Sequence, residues 1–499
     1  MKPPNLMGDR RGRLFAALVG ACLLQAIGFA GTALTTRAAF GALGNDESIA
    51  ANILAVLAAS AALAAIMQMC FRILADAIGE HYAKDVRLTL FTHAGASTQR
   101  DIDQRRRGYL FMRFIGDLTA LKQWPGLGLP RLVQALIVVP CSVAVLFALH
   151  EPFGWIGLSV ITVALVTLLA TRAPLLEAHK KQRAQRAKIA ADMAERMPLA
   201  PQLKAAQRLG REARKLSSQA ERLASLAVRR RSIAEAMKAL PDLSAGVAAA
   251  VFLAIGANQN LGTGTIAGAL AALALTITPL RNLMALTDKA AAFQAAHQKL
   301  TALLERPIRS PVGSANLLPK GPLSIELRLP GQDPMSVPPG GHTPLSLEHL
   351  DHITTFLTGL ARPPKGLMSL NGMDVSQISE ESLGRRVAVI DNRPLVLKGS
   401  LRRALGLGLR QRPSDEHMLD RIEKAGLIDV LQILGGLDRR LGESALDCSP
   451  SKRVQLSALR AAVLRPGLLL VREGEDNPQI QSALEYLGAT QITAGLETG

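Results

Sequence analysis

The sequence predicts a two-part membrane protein. The first part is an all-α transmembrane domain of six helices with long cytoplasmic helical extensions, and the second is a soluble α/β domain. Two observations on apolar content support this fold class: 48% of the 499 residues are hydrophobic and only 20% are charged, and six apolar runs reach the roughly 20 residues that a bilayer span requires. A third is that strand-like and helix-like runs alternate in the last third of the chain, which indicates an α/β domain.

The six predicted spans are rich in Ala, Leu, Val and Gly, and none carries a central charge. Small residues of this kind allow helices to pack closely in lipid. No small-residue cleavage site follows the first span, so we predict a retained helix rather than a signal peptide. The spans are placed near residues 14–35, 49–71, 131–149, 153–171, 241–258 and 262–284.

The distribution of basic residues predicts the topology. The short loops contain one basic residue, Arg37, whereas the N-terminus and the long segments 72–130 and 172–240 are strongly basic. By the positive-inside rule, we expect the N-terminus, both long segments and the C-terminus to be cytoplasmic, in a plasma (inner) membrane protein. Apolar residues at i, i+3 and i+4 within the long segments predict helical extensions. Their charge runs are interpreted as solvated faces near anionic lipid, with direct contact to substrate or nucleotide as the alternative.

A Pro/Gly/Ser-rich stretch at 306–322 is typical of a linker. It divides a transmembrane domain at 1–305 from an α/β domain at 323–499. Only 3% of the residues are aromatic, which argues against a nucleic-acid partner because base stacking needs aromatic platforms. The four cysteines include no C-x-x-C pair, so neither a disulfide framework nor a zinc site is indicated.

Several stretches together resemble a half-transporter of the ABC exporter type. "GEHYAKDVRLTLFTHAGASTQRDIDQRRRGYLFMRFIGDLTAL" and "LKAAQRLGREARKLSSQAER" are similar to the first and second intracellular loops of that family. In the soluble part, "GLARPPKGLMSLNGMDVSQISEESLGRRVAVI" resembles the stretch after the P-loop helix. "LGESALDCSPSKRVQLSALRAAVLRPGLLLVRE" resembles the signature helix running into Walker B. The resemblance implies a P-loop NTPase-like α/β domain that is degenerate, as follows.

The P-loop of this family has the pattern G-x-x-G-x-G-K-[ST], in which backbone N–H groups and the lysine bind phosphate and Ser/Thr holds Mg²⁺. The corresponding stretch, 344–352, reads "PLSLEHLDH" and contains no glycine. Leu350 stands at the lysine position and Asp351 at the serine position. A carboxylate without the lysine would repel a triphosphate, so we expect no nucleotide binding by this loop.

The other nucleotide-site motifs also depart from the family pattern. Asn392 replaces the Q-loop glutamine, and no histidine follows His417 to serve as the switch histidine. The Walker B aspartate and glutamate positions hold Arg472 and Glu473. A positive charge therefore replaces the negative charge of the aspartate, which attracts Mg²⁺. The signature L-S-G-G-Q is replaced by Cys448, Ser449, Pro450, Ser451 and Lys452.

For these residues a structural interpretation is favoured over a catalytic one. We interpret Arg472 as an ion-pair partner of Glu473, Glu475 or Asp476, with a phosphate clamp as the alternative. Glu473 is interpreted as a residual carboxylate, with a surviving general base as the alternative. No metal ligands are assigned, and the histidines at 342, 349 and 352 are predicted to be solvent-exposed. Prolines at 241 and 279 are expected to kink or to pack within their helices.

Together the motifs predict a non-catalytic, ATPase-deficient half of an exporter. The chain is expected to act in the bilayer with a second ABC half that hydrolyses ATP, as a hetero-dimer rather than a homo-dimer. It would bind no cofactor alone, and ATP with Mg²⁺ would be held only at a composite site with the partner. The alternatives are a non-transporting membrane scaffold or regulator derived from a transporter, and the product of a decaying gene. No charge lies deep in a span, which favours an apolar or amphipathic cargo.

Overall fold

The computed structural model describes residues 2–96, 118–284, 286–306, 317–328, 333–409 and 411–495. The described chain forms two compact units, one ending at Arg306 and the other made of the residues after it. The basic stretch 103–114 and most of the predicted linker, residues 307–316, lie outside the described residues. Each unit is described by itself.

The described part of the first unit is helical apart from short connections. Six of its helical segments are long and apolar enough to cross a bilayer, which confirms the six-span fold class predicted from the sequence. A π-helical turn, Trp124–Gly128, leads into the third of them. The helices are α1 (Asp9–Gly44), α2 (Ala51–Ala96), α3 (Leu129–Leu149), α4 (Glu151–Arg196), α5 (Ala200–Ala205), α6 (Leu209–Asn258), α7 (Thr263–Met284) and α8 (Leu286–Leu304).

The main core of this unit lies between α3, α4, α6 and α7. Its centre is the contact of Phe153 and Phe252, whose ring centroids are 4.5 Å apart and whose side chains are fully buried. Seven of the 18 buried residues in this cluster are alanines, which lets the helix backbones approach closely. Pro241 and Pro279 lie inside α6 and α7, as predicted.

A second contact in this unit joins α2 to the π-turn. A Cβ atom added to Gly79 would lie 2.9 Å from the Cα of Gly126, so only glycine fits at this crossing. On the other side of the turn, the rings of Trp124 and Phe293 lie 6.3 Å apart and attach α8. The turn therefore holds α2, α3 and α8 together.

In the residues that the structure describes, the second unit is an α/β domain with two four-stranded sheets and one short antiparallel pair of strands. One sheet is parallel with the order β3-β10-β9-β6, and the other is antiparallel with the order β2-β1-β4-β5. The strands are β1 (Ile325–Leu327), β2 (Met335–Val337), β3 (His342–Leu345), β4 (Met368–Leu370), β5 (Met373–Asp374), β6 (Val387–Ile390), β7 (Gly399–Ser400), β8 (Arg440–Leu441), β9 (Leu468–Val471) and β10 (Thr490–Ala494). The helices are α9 (Leu347–Leu357), α10 (Glu380–Arg386), α11 (Leu401–Leu405), α12 (Asp415–Lys424), α13 (Ile428–Ile433), α14 (Pro450–Leu464) and α15 (Pro478–Leu487).

Strand β9 lies in the interior of the parallel sheet. All four of its residues are fully buried, as expected for an apolar run that is covered on both faces. It pairs with β6 on one side, with Ile390 opposite Val471, and with β10 on the other. Because these strands are parallel, the residues that follow β6 and β9 emerge at the same edge of the sheet.

Candidate functional site

The carboxyl edge of the parallel sheet collects the polar residues that follow its strands. Asp391 and Asn392 come directly after β6, and Arg472 and Glu473 come directly after β9. The backbone N–H of Arg472 donates to the carbonyl of Ile390 at 3.0 Å, which aligns the two exits. Asp351 reaches the same place from the second turn of α9.

Arg472 forms ion pairs with two carboxylates at this edge. Its Nη2 lies 2.5 Å from Oδ1 of Asp351, and its Nη1 lies 3.5 Å from Oδ2 of Asp391. The predicted partners were the acidic residues that follow Arg472 in the sequence, and that prediction is wrong. The chain turns at Gly474, where φ is +101°, between Arg472 and the pair Glu475 and Asp476. The guanidinium instead reaches carboxylates from other elements, and Glu473 accepts from Asn392.

The connection between β3 and α9 is too short for a phosphate-binding loop. β3 ends at Leu345 and α9 begins at Leu347, so Ser346 alone joins them. The Ser346 hydroxyl is bonded to Nδ1 of His349 at 2.7 Å and does not cap the helix. Leu350 is fully buried in the core of the unit, so it faces away from the edge. Only the first N–H groups of α9 point out of this turn, and there is no longer loop to wrap around a phosphate.

Asn392 and Glu473 form a second link between the two strand exits. The Nδ2 of Asn392 donates to Oε1 of Glu473 at 2.7 Å. Glu473, which the sequence resemblance aligns with a catalytic base, is therefore held by the neutral amide of Asn392, which the resemblance aligns with a Q-loop glutamine. Asp391 was missed in the sequence, although it follows "VAVI" just as Arg472 follows "LLLV".

The stretch 448–452 has contacts of its own at the start of α14. Ser449 is the N-cap, with its hydroxyl accepting from the N–H of Lys452 at 3.4 Å, and Pro450 opens the helix. Cys448 is buried and contacts Nη2 of Arg439 through its sulfur at 3.6 Å. Ser451 is exposed. Since proline lacks an N–H, this helix start has one donor fewer than the glycine-rich signature.

The three histidines that the sequence predicts to be solvent-exposed have separate surroundings. Nε2 of His342 contacts the hydroxyl of Thr493 at 3.0 Å, and His349 contacts Ser346. His342 and His352 are exposed and His349 is half-buried. Within the described ranges, no group of three or more His, Cys, Asp or Glu side chains is arranged to hold a metal ion.

A cluster of three cations lies in the first unit, beside the π-turn, and was not found from the sequence. Arg72 lies about two turns before Gly79 on α2, and Arg131 follows the π-turn at the start of α3. Lys289 lies one turn before Phe293 on the same face of α8. Arg131 lies close enough to Arg72 and to Lys289 for the charges to interact.

These cations have no carboxylate partner among the described side chains, whereas Asp76 and Glu80 on α2 both pair with Lys122, at 3.1 and 2.6 Å. Burial, together with the charge of Arg131, lowers the pKa of Lys289. Arg131 and Lys289 are half-buried and Arg72 is exposed. An unpaired cation cluster of this kind is suited to receive an anion.

The sequence of the first unit is similar to that of known proteins. The family model of the ABC transporter transmembrane region matches residues 14–278, which is more than half of the chain. The chain is 25% identical over 279 residues to the ATP-dependent lipid A-core flippase of Thiobacillus denitrificans, covering 50% of this chain and 47% of that protein. It is 26% identical over 135 residues to the beta-(1→2)glucan export ATP-binding/permease protein of Bradyrhizobium diazoefficiens, covering 27% and 21%.

A third similar protein is the ABC multidrug transporter B of Aspergillus fumigatus, 30% identical over 106 residues, covering 21% of this chain and 7% of that protein. The chain thus spans less than half the length of the curated relatives it matches. The family match covers the six helices of membrane-spanning length, and the relatives share the exporter type. The chain therefore belongs to the ABC transporter family, with a transmembrane domain of the exporter type.

Proposed function

We propose that the chain is a non-catalytic half of an ABC exporter, which contributes six helices to a translocation pathway while a partner subunit hydrolyses ATP. The observation that carries this proposal is the ion pair of Arg472 and Asp351. In intact P-loop NTPases, Mg²⁺ is held between the P-loop Ser/Thr and the Walker B aspartate. Here a carboxylate and a guanidinium are aligned with those two positions, and the two groups pair with each other.

Electrostatics also disfavour a metal at this edge. Reversing the sign of one unit charge about 4 Å from another, at an effective dielectric constant of about 20, changes each pair energy from roughly −4 to roughly +4 kcal/mol. Arg472 would exert that repulsion on Mg²⁺. The single-residue connection at Ser346 adds to this effect, because it is too short to wrap around the phosphates.

A partner with intact motifs would complete the transporter. In exporters each ATP lies between the P-loop of one subunit and the signature of the other. In such a hetero-dimer, ATP on the partner would face the helix start at Ser449 and Lys452 of this chain. A homo-dimer would have no site with an intact P-loop. We place both termini in the cytoplasm and the helices in the inner membrane, on the basis of the basic long segments.

The cation cluster of Arg72, Arg131 and Lys289 supports transport over a scaffold role. Unpaired cations next to spanning helices are costly and typically mark a pathway or a ligand site. They favour an amphiphile with an anionic headgroup as cargo. The similarity to a lipid A-core flippase is consistent with that class of cargo, although it covers only half of either chain.

The test compares the purified full chain with the same chain co-expressed with an intact ABC half from the same genome. Each preparation is reconstituted in nanodiscs and assayed for Mg²⁺-dependent ATP hydrolysis. We expect no hydrolysis by the chain alone and hydrolysis by the pair. The matched variant carries a Walker B Glu→Gln change in the partner, which should abolish the activity of the pair. Robust hydrolysis by the chain alone would overturn the proposal.

A further inference from the structure

Three glutamines form a hydrogen-bonded network between the first three spanning helices. They are Gln25 on α1, Gln68 on α2 and Gln134 on α3. Nε2 of Gln134 donates to Oε1 of Gln25 at 2.9 Å and to Oε1 of Gln68 at 2.8 Å. Nε2 of Gln25 donates to Oε1 of Gln68 at 2.5 Å. All three lie within helices that span the membrane, where polar side chains are rare and usually functional.

The three amides do not contribute equally to the network. Gln25 and Gln134 are 2% and 3% exposed, whereas Gln68 is half-buried. The carbonyl of Gln68 accepts two hydrogen bonds, but its Nε2, which carries two N–H donors, has no partner in the part of the chain that the structure describes. The two buried glutamines thus fix the amide of Gln68 by its oxygen and leave its donors available.

The free donors of Gln68 lie next to the cation cluster. Gln68 and Arg72 are four residues apart on α2 and share a helix face. Gln134 and Arg131 are likewise three residues apart on α3. Moving along these helices from the Gly79–Gly126 contact, the cations come first and the glutamines about one turn further. An anion bound by the cations would therefore place its attached groups beside Gln68.

We propose that Gln68 is a cargo-binding residue whose amide N–H groups donate to hydroxyl or carbonyl oxygens of an anionic headgroup, and that Gln25 and Gln134 position it. This inference rests on the proposed function, because it assumes an amphiphilic anion as cargo. It adds a chemical class: the headgroup carries oxygen acceptors beyond the charged group itself. If the three glutamines only held the helices together, they would make the same three hydrogen bonds, and the Nε2 of Gln68 would have no role.

Two substitutions separate these roles. Gln68→Glu retains an oxygen that can accept from Gln25 and Gln134, so the link between the helices persists, but it removes both N–H donors. Gln68→Met removes the polar group entirely at similar length. Gln185→Met serves as the matched control, because Gln185 lies on α4 and bonds the carbonyl of Gln219 at 3.2 Å.

The probes are dioctanoyl phosphatidylglycerol and dioctanoyl phosphatidylethanol. They have the same tails and the same single negative charge, and their headgroups differ by two hydroxyl groups and one carbon atom. Affinity of each for the full chain in detergent is measured by thermophoresis. The ratio of the two affinities is insensitive to the charge introduced by Gln68→Glu, because that charge acts equally on both lipids.

We expect the unmodified chain and Gln185→Met to prefer phosphatidylglycerol about tenfold, the ratio that one to two net hydrogen bonds produce. In Gln68→Glu and Gln68→Met the ratio should fall to about one. An unchanged ratio in both Gln68 variants, or a ratio of one in the unmodified chain, would overturn the inference.

Arg131→Gln distinguishes this inference from the cargo class on which it rests. It should weaken the binding of both lipids while preserving their ratio. If Arg131→Gln weakens neither lipid, the anionic cargo of the proposed function is wrong. If it weakens both while the Gln68 variants keep the ratio, only the role of Gln68 is wrong.

Discussion

Replacing Arg472 by methionine tests the ion-pair network at the sheet edge. The Arg472→Met change keeps an unbranched side chain of similar length but removes the cation between Asp351 and Asp391. The two carboxylates then face each other without compensation. We therefore expect the second unit to unfold more easily, with an effect larger than that of a surface arginine.

The magnitude follows from the exposure of the two carboxylates. The Asp351 side chain is 48% exposed, so its pair with Arg472 is screened by solvent and contributes about 0.5 kcal/mol. The Asp391 side chain is 14% exposed, and leaving it unpaired costs about 1.5 kcal/mol, below the value for a fully buried charge. The sum of about 2 kcal/mol corresponds to a fall in Tm of about 4–8 °C for a domain of roughly 150–250 residues.

The assay is thermal unfolding of the full chain in detergent, followed by a probe of the second unit such as limited proteolysis. Arg393→Met is the matched control, because Arg393 is exposed near the same edge and makes no ion pair in the described chain. Asp351→Asn should lower the Tm by only about 1–2 °C. The reasoning is refuted if Arg472→Met behaves like Arg393→Met, or if Asp351→Asn costs as much as Arg472→Met.

Two further predictions concern the first unit. Gly126→Ala should lower the Tm of this unit, because the added Cβ would lie 3.0 Å from the Cα of Gly79 and overpacking costs about 1–3 kcal/mol. Gly20→Ala is the control, because a Cβ at Gly20 would have nothing within 4 Å. Equal Tm values for the two variants would contradict the close contact of Gly79 and Gly126. Lys289→Gln should raise the Tm of the ligand-free chain and weaken its binding of anionic lipid. Because the pKa of Lys289 is lowered in the folded chain, the unfolded chain binds more protons above that pKa. The stability of the unmodified chain therefore rises as the pH increases through that pKa, and this rise should be absent in Lys289→Gln. The same pH dependence in both proteins would contradict this prediction.

The six spans and strand β9 could be predicted because each depends on a local pattern. A run of about 20 apolar residues has few alternatives to a membrane helix, and "LLLV" ending in charge is typical of a buried parallel strand. In both cases the residues that determine the element are neighbours in the sequence.

The partners of Arg472 could not be predicted in the same way. Asp351 and Asp391 belong to other elements, and only the order of the parallel strands brings them to one edge. The acidic residues next to Arg472 in the sequence were the obvious candidates, but Glu473 is bonded by Asn392, and Glu475 and Asp476 follow the turn at Gly474. The cation cluster was missed for a similar reason. Arg72 and Arg131 each look like ordinary flanking charges until the Gly79–Gly126 contact brings their helices together.

The most direct test of the central claim is equilibrium binding of ATP to the purified full chain. The chain alone, in nanodiscs with Mg²⁺, is titrated with a fluorescent ATP analogue and competed with unlabelled ATP. We expect no saturable, competable binding up to about 1 mM ATP, the upper end of the usual range of KM values for enzymes. Saturable binding in the micromolar range that depends on Mg²⁺ would contradict it.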